Sequence, residues 1–341
     1  MKKIFPCFIL AFLFAACNKE YLGVDRFFLK SEGAVMPVII SGNLSSKVFV
    51  VFLHGGPGDS AIRSYYDARL FEKLETDYAW VYWDQRCAGL SEGNCDPAAL
   101  QPEDFGRDLS RLLKVIQNKY GMDIHIFLLG HSWGGTLGLD FLSSKWYDGG
   151  FRGFINIAGP HNMQLTAIME KTHLLDFAAQ MQSQGIFAAD WKHFEEMVHP
   201  ENPETVEGAI VINRACYDTE RTLIRMDSIA NTSVALPARN FLSSLMLYNQ
   251  NARASQNAPA FKDNLLNYDL SGRLKDITLP VLVGAGSYDF VIPPDVMRDL
   301  YEKLGSQEKV WKLFKHSPHS PMVAEPEIFE NEIRNFIEKY R

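Results

Sequence analysis

The run Ile124-His125-Ile126-Phe127-Leu128-Leu129-Gly130-His131-Ser132-Trp133-Gly134-Gly135 decides how the rest of this chain is read. A short apolar, β-rich stretch predicts a buried strand, and helical spacing follows at once from Thr136 to Trp146. Between them lies Gly-His-Ser-Trp-Gly, a G-x-S-x-G sequence in the strand–turn–helix setting of a nucleophile elbow. So sharp a turn forces the serine backbone into a sparsely populated conformation, at a cost of about 1–3 kcal/mol that the surroundings must offset. Glycine at 130 and 134 lets strand and helix close up where side chains would collide. This geometry lifts Ser132 Oγ clear of the sheet and puts the following N–H groups at a helix N-terminus, where negative charge is favoured. An ordinary glycine-rich βα turn is the bland reading, and the flanking sequence weighs against it.

Upstream, Tyr21 to Ser46 predicts one or two antiparallel strands, with turns at Ser31-Glu32-Gly33 and Ser41-Gly42-Asn43. Lys47 to Leu53 is a buried strand that empties into His54-Gly55-Gly56-Pro57-Gly58. Tyr78 to Trp83 is another, ending in Asp84-Gln85-Arg86. Pro102 to Tyr120 carries helical spacing with Gly121 as its cap. Downstream, Gly153 to Ala158, Leu279 to Gly284 and Lys309 to Phe314 read as strands. Pro294 to Leu304 and Glu327 to Tyr340 read as helices. Short apolar strands alternating with helices predict a mostly parallel sheet covered on both faces. From Gly159 to about Arg273 the alternation stops and helical patterns take over, at Leu165–Gln184, Ala188–Val198, Glu207–Asn231 and Ala238–Asn251. So long a segment between two sheet strands predicts a helical cap over the C-terminal edge of the sheet, where open α/β sheets bind ligands.

A serine nucleophile needs a base to take its proton and a carboxylate to hold that base. Asp289 lies just beyond the strand Val281-Leu282-Val283-Gly284, and His316 and His319 follow the last strand. The order Ser, Asp, His is the one such a fold uses. Of the 9 histidines these two occupy the right loop.

These residues together resemble the α/β-hydrolase superfamily, and within it the prolyl aminopeptidase (proline iminopeptidase) group. His54-Gly55-Gly56-Pro57-Gly58 is similar to that group's HGGPG. Trp83-Asp84-Gln85-Arg86 with Gly89 and Ser91 is similar to its WDQRGxGxS, and Gly130 to Gly135 to its GxSWGG. Ser317-Pro318-His319-Ser320-Pro321, with Glu325-Pro326 behind it, resembles the histidine loop and assigns the base to His319. The resemblance covers about residues 47–159 and 274–340. It implies an α/β-hydrolase fold, a Ser132–His319–Asp289 triad, an oxyanion hole from the N–H groups of Gly56 and Trp133, and release of N-terminal residues from peptides. Gly55 beside Gly56 leaves the backbone open to the substrate. The sequence departs from the group in two places. Cys87 replaces the glycine after Asp-Gln-Arg, and the cap lacks the group's glutamate motifs resembling WEG and ARIENHYF. By chemistry alone Glu195, Glu196, Glu207 and Glu220 are the cap carboxylates that could hold a substrate's ammonium, each set against a plain solvated helix face. An esterase or small-amide hydrolase is the alternative, and a silent binding protein a remoter one. Haloalkane and epoxide hydrolases place aspartate at the elbow, which Ser132 argues against. The triad calls for no metal or organic cofactor, and the expected partner is a small molecule or short peptide.

Composition fits this outline. The chain has 341 residues, 47% hydrophobic and 22% charged, with a net charge of −7 that argues against a nucleic-acid surface. Met1-Lys2-Lys3 and the apolar run Ile4 to Ala16 have the form of a signal peptide over residues 1–16. Leu13-Phe14-Ala15-Ala16-Cys17 resembles a bacterial lipoprotein cleavage site, with Phe14 in place of the usual aliphatic residue. That resemblance implies lipidation at Cys17 and a membrane-anchored protein of the cell envelope. The hydrolase core is then expected over 17–159 and 274–341, and the cap over 160–273. An exported chain permits disulfides, and Cys87 and Cys95 are the close pair, against two free thiols.

Overall fold

A computed structural model describes residues 22–93, 101–225 and 265–341. The leader with Cys17, Cys95, and the helical patterns expected beyond Arg225 lie outside the described residues. Strands β1 (Leu22–Ser31) and β2 (Ala34–Asn43) form a hairpin. Its turn residues Glu32 and Gly33 both have positive φ, 49° and 85°, the conformation that matches a two-residue loop to strand twist. The second expected turn is absent: Ser41, Gly42 and Asn43 all belong to β2 and pair with β1 throughout. Gly42 is there because β2 runs against the carbonyl oxygens of Glu75 and Tyr78, and a Cβ would overlap both.

The remaining strands are β3 (Val48–Leu53), β4 (Ala79–Trp83), β5 (Glu92–Gly93), β6 (His125–His131), β7 (Phe151–Ile157), β8 (Val281–Gly286) and β9 (Lys309–Phe314). The sheet order is β1-β2-β4-β3-β6-β7-β8-β9, with the short β5 on β2. From β4 to β9 every neighbouring pair is parallel, and β1 and β2 are antiparallel. β3 and β4 are wholly buried, as expected of strands with helices on both faces. The strand order reverses between β3 and β6, which creates the crevice in which such sheets bind ligands.

The helices are α1 (Ala61–Arg63), α2 (Glu72–Glu75), α3 (Pro102–Tyr120), α4 (Trp133–Leu142), α5 (Met163–Ser183), α6 (Ala188–Val198), α7 (Val206–Arg225), α8 (Pro294–Lys303), α9 (Pro321–Ala324) and α10 (Pro326–Tyr340). α3 turns Phe105, Leu109, Leu112 and Ile116 inward and stops at Gly121. α4 ends four residues before the expected Trp146. The hydroxyls of Ser143 and Ser144 donate to the carbonyls of Leu139 and Phe141, each at 2.8 Å, so side chains take over acceptors near the helix end. α5, α6 and α7 stand between β7 and β8 and pack on one another through Leu174, Ala178, Trp191, Phe194, Val198 and Ile212.

Candidate active site

The reversal point brings the ends of β3 and β6 together, and both carry motif residues. Ser132 follows β6 with φ 55° and ψ −126°, the strained backbone its motif predicts. Its N–H donates to Ile157 O of β7 at 3.0 Å, and its carbonyl accepts from Gly135 N at 2.8 Å. The surrounding glycines are fixed by contact. A Cβ on Gly134 would overlap Leu53 O, and one on Gly130 would overlap Gly134 O. α4 therefore lies directly on β3, with the N–H of Trp133 in its first turn, where no intrahelical acceptor exists. A Cβ on Gly55 would lie 3.3 Å from that of Ser132, so a side chain there would crowd the serine.

Behind this corner, the Asp-Gln-Arg residues form a frame. Gln85 N donates to His54 Nε2 and Gln85 Nε2 to His54 O, both at 3.1 Å, while Gln85 Oε1 accepts from Trp133 Nε1 at 3.0 Å. One glutamine thus joins the His-Gly-Gly loop to the first residue of α4. Asp84 is fully buried and accepts from Ser60 Oγ, Ile62 N and Leu90 N. Arg86 meets buried Asp108 of α3 through two bonds of 2.5 and 2.7 Å. Cys87 has φ 59°, backbone that glycine adopts without strain, and it is disulfide-bonded. Its expected partner Cys95 lies outside the described residues.

Asp289 and His319 meet in the loops after β8 and β9. His319 Nδ1 lies 3.0 and 3.2 Å from the two carboxylate oxygens of Asp289, which is completely buried. A carboxylate only accepts, so Nδ1 carries the proton and Nε2 presents its lone pair. Nε2 is buried with no hydrogen-bond partner among the described residues. Burial holds the His319 pKa below the usual imidazole value, which favours the neutral ring. Burial pushes the Asp289 carboxyl up, while N–H groups of Ile292 and Val291 pull the other way. The His319 ring lies 4.9 Å from that of His131 and 6.2 Å from that of Tyr217. His131 Nε2 donates to His319 O at 2.9 Å, tying the residue before Ser132 to the histidine loop. Burial and the neighbouring His319 lower the His131 pKa to about 4. His316 is exposed beyond the end of β9, and its N–H donates to Glu325, which also accepts from Ser317 Oγ.

Ser132, Gly56 and Trp133 line a cavity of about 520 Å³. Its opposite wall comes from α5 and α7, with Met163, Val206, Ile210 and Tyr217 among the contacts. The four glutamates expected from the sequence do not line it. Trp191, Phe194 and Val198 take the inner face of α6, which turns Glu195 toward Gln182 and Glu196 toward Lys192 on the outside. Glu207 is exposed in the first turn of α7. Glu220 is buried, but against Asp289 and His319. The carboxyl that does reach the cavity is Glu170 of α5, 3% exposed, accepting from Asn213 Nδ2 at 2.6 Å. Burial pushes its pKa well above the usual carboxylate value. A signal for it exists in the sequence: Ala167, Glu170, Leu174 and Ala178 form one buried stripe, and an acid on such a stripe faces inward.

A parallel sheet with a strained serine at its reversal point, and an Asp–His pair on the next loops, defines an α/β enzyme scaffold of the hydrolase type. Residues 50–332 match the model of the alpha/beta hydrolase family, and the chain belongs to that family. Among its relatives it is 24% identical to "Probable aminopeptidase YbaC" of Bacillus subtilis (strain 168) over 310 residues, covering 86% of this chain and 90% of the relative. Among solved structures it is similar to a proline iminopeptidase-related protein from Thermus thermophilus (TM-score 0.64, 18% identity, 94% of this chain and 99% of that one). It is also similar to a thermophilic esterase from Thermogutta terrifontis (TM-score 0.58, 19% identity, 93% and 99%).

Proposed function

We propose that the chain is a serine hydrolase acting as an aminopeptidase of the prolyl aminopeptidase type. In this reading Ser132 Oγ attacks the substrate carbonyl carbon while His319 Nε2 takes its proton, and Asp289 stabilises the imidazolium. The N–H groups of Gly56 and Trp133 receive the oxyanion, each worth about 2.7–4 kcal/mol in the transition state. Collapse breaks the acyl C–N bond, and the leaving amine takes the proton from His319. Water then adds to the acyl-enzyme by the same route and restores Ser132.

The observation that carries the peptidase reading is Glu170. Among the described residues no ion pair reaches it, and it lines the same cavity as Ser132. A buried carboxylate without a cation is costly. A substrate's α-ammonium would supply that cation, and Asn213 would hold the carboxyl in place. The apolar contacts Met163, Val206, Ile210, Val291 and Ile292 favour a second reading, an esterase or small-amide hydrolase. One comparison separates them: kcat/KM on aminoacyl-naphthylamides and on their N-acetylated twins. The peptidase reading predicts that acetylation removes most of the activity, and that Glu170→Gln lowers the free-amine rate while sparing p-nitrophenyl esters. Equal rates on both twins would leave the hydrolase standing and refute the aminopeptidase.

A further inference from the structure

Glu220 projects from α7 away from the cavity, into the seam between the loops that carry Asp289 and His319. Its side chain is 7% exposed. Oε1 accepts from Phe290 N at 2.9 Å and from Val291 N at 3.4 Å, and Oε2 accepts from His319 N at 3.3 Å. The carboxyl is also near enough to that of Asp289 for the two to act on each other's charge. One side chain of the inserted helices therefore bonds the two residues after the acid and the backbone of the base.

We infer that Glu220 is a positioning residue for the Asp289–His319 pair, clamping both loops so that the acid and base are aligned only while α7 is seated. The inference rests on the triad reading above. The bland alternative is a buried acid that only satisfies loop N–H groups, and charge separates the two. Carboxyls close together away from water do not both ionise readily. Burial, reinforced by the Asp289 charge, pushes the Glu220 pKa up to about 8, so Glu220 is neutral at neutral pH. The titratable groups around it are Asp289, His319, Glu170 of α5, and Cys216 and Tyr217 of α7 itself. None of these is a fixed cation that could hold Glu220 ionised. Above its pKa two negative charges stand close together behind the imidazole, and their repulsion moves Asp289 out of line with His319.

The test measures the rate of Ser132 labelling by a fluorophosphonate, with kcat and KM on p-nitrophenyl acetate, from pH 5 to 10 on the full chain. Wild type should lose rate on the alkaline side with a midpoint near 8. Glu220→Gln keeps a donor and an acceptor without a charge, so it should work near the wild-type level at neutral pH and lack that alkaline fall. Glu220→Ala should lose on the order of 10–100-fold in kcat with KM nearly unchanged, a loss of the size found when a partner that orients a metal-bound histidine is removed. Kinetics of the alanine variant are read with circular dichroism beside them, and the glutamine profile decides even where alanine unfolds the chain. An alkaline fall retained in Glu220→Gln, or a wild-type kcat in folded Glu220→Ala, overturns the inference. Absence of Ser132 labelling in wild type would instead strike the triad reading.

Discussion

His131 shows how one side chain can serve the site and cost stability. In the sequence it is only the variable residue of G-x-S-x-G, yet its bond to His319 O joins elements 188 residues apart. No local pattern encodes such a contact. Gln85 is opaque for the same reason: the fold brings its partners, so its neighbourhood is legible in the sequence and its role is not. The bond has a pH signature. The folded pKa of His131 is about 4, below the ordinary 6.5, so the unfolded chain takes up a proton first as pH falls. Its contribution to stability is complete above pH 6.5 and is lost as pH falls toward 4. His131→Asn removes the titrating group, so its Tm relative to wild type should rise steadily as pH falls over that interval. Parallel Tm curves would show that His131 titrates alike in both states.

Elements whose pattern is local are the legible ones. β9, α3 and α6 have the bounds expected from apolar spacing and caps, because strand and helix periodicity survive whatever packs on them. The expected turn at Ser41-Gly42-Asn43 fails because glycine there answers a close approach by Glu75 and Tyr78, not a change of direction. The same physics makes a prediction for α4. Gly134→Ala would push a methyl into Leu53 O and lift α4 off β3. Overpacking of this kind costs about 1–3 kcal/mol, which for a chain of this length corresponds to a Tm loss of roughly 1–2 °C per kcal/mol. Ser132 labelling should fall with it, since α4 carries the Trp133 N–H. A variant with unchanged Tm and labelling would mean that the strand–helix contact is looser than described.

At the scale of the whole molecule, the sheet places chemistry from four strand ends at one corner: His54-Gly55-Gly56 after β3, Ser132 after β6, Asp289 after β8 and His319 after β9. That gathering follows from parallel strands, whose C-terminal ends all lie on one side, and it is why motifs far apart in sequence can be read as one site. The inserted helices obey no such rule, so sequence spacing locates them but misassigns their inward-facing acids. The central claim is that Ser132 is a nucleophile activated by His319. Mass spectrometry after brief fluorophosphonate treatment tests it most directly. The account predicts one modified serine, Ser132, in wild type; no label in folded Ser132→Ala; near-complete loss of labelling in His319→Ala; and labelling close to wild type in His316→Ala. Label of equal extent in Ser132→Ala, or at Ser132 regardless of His319, would contradict it.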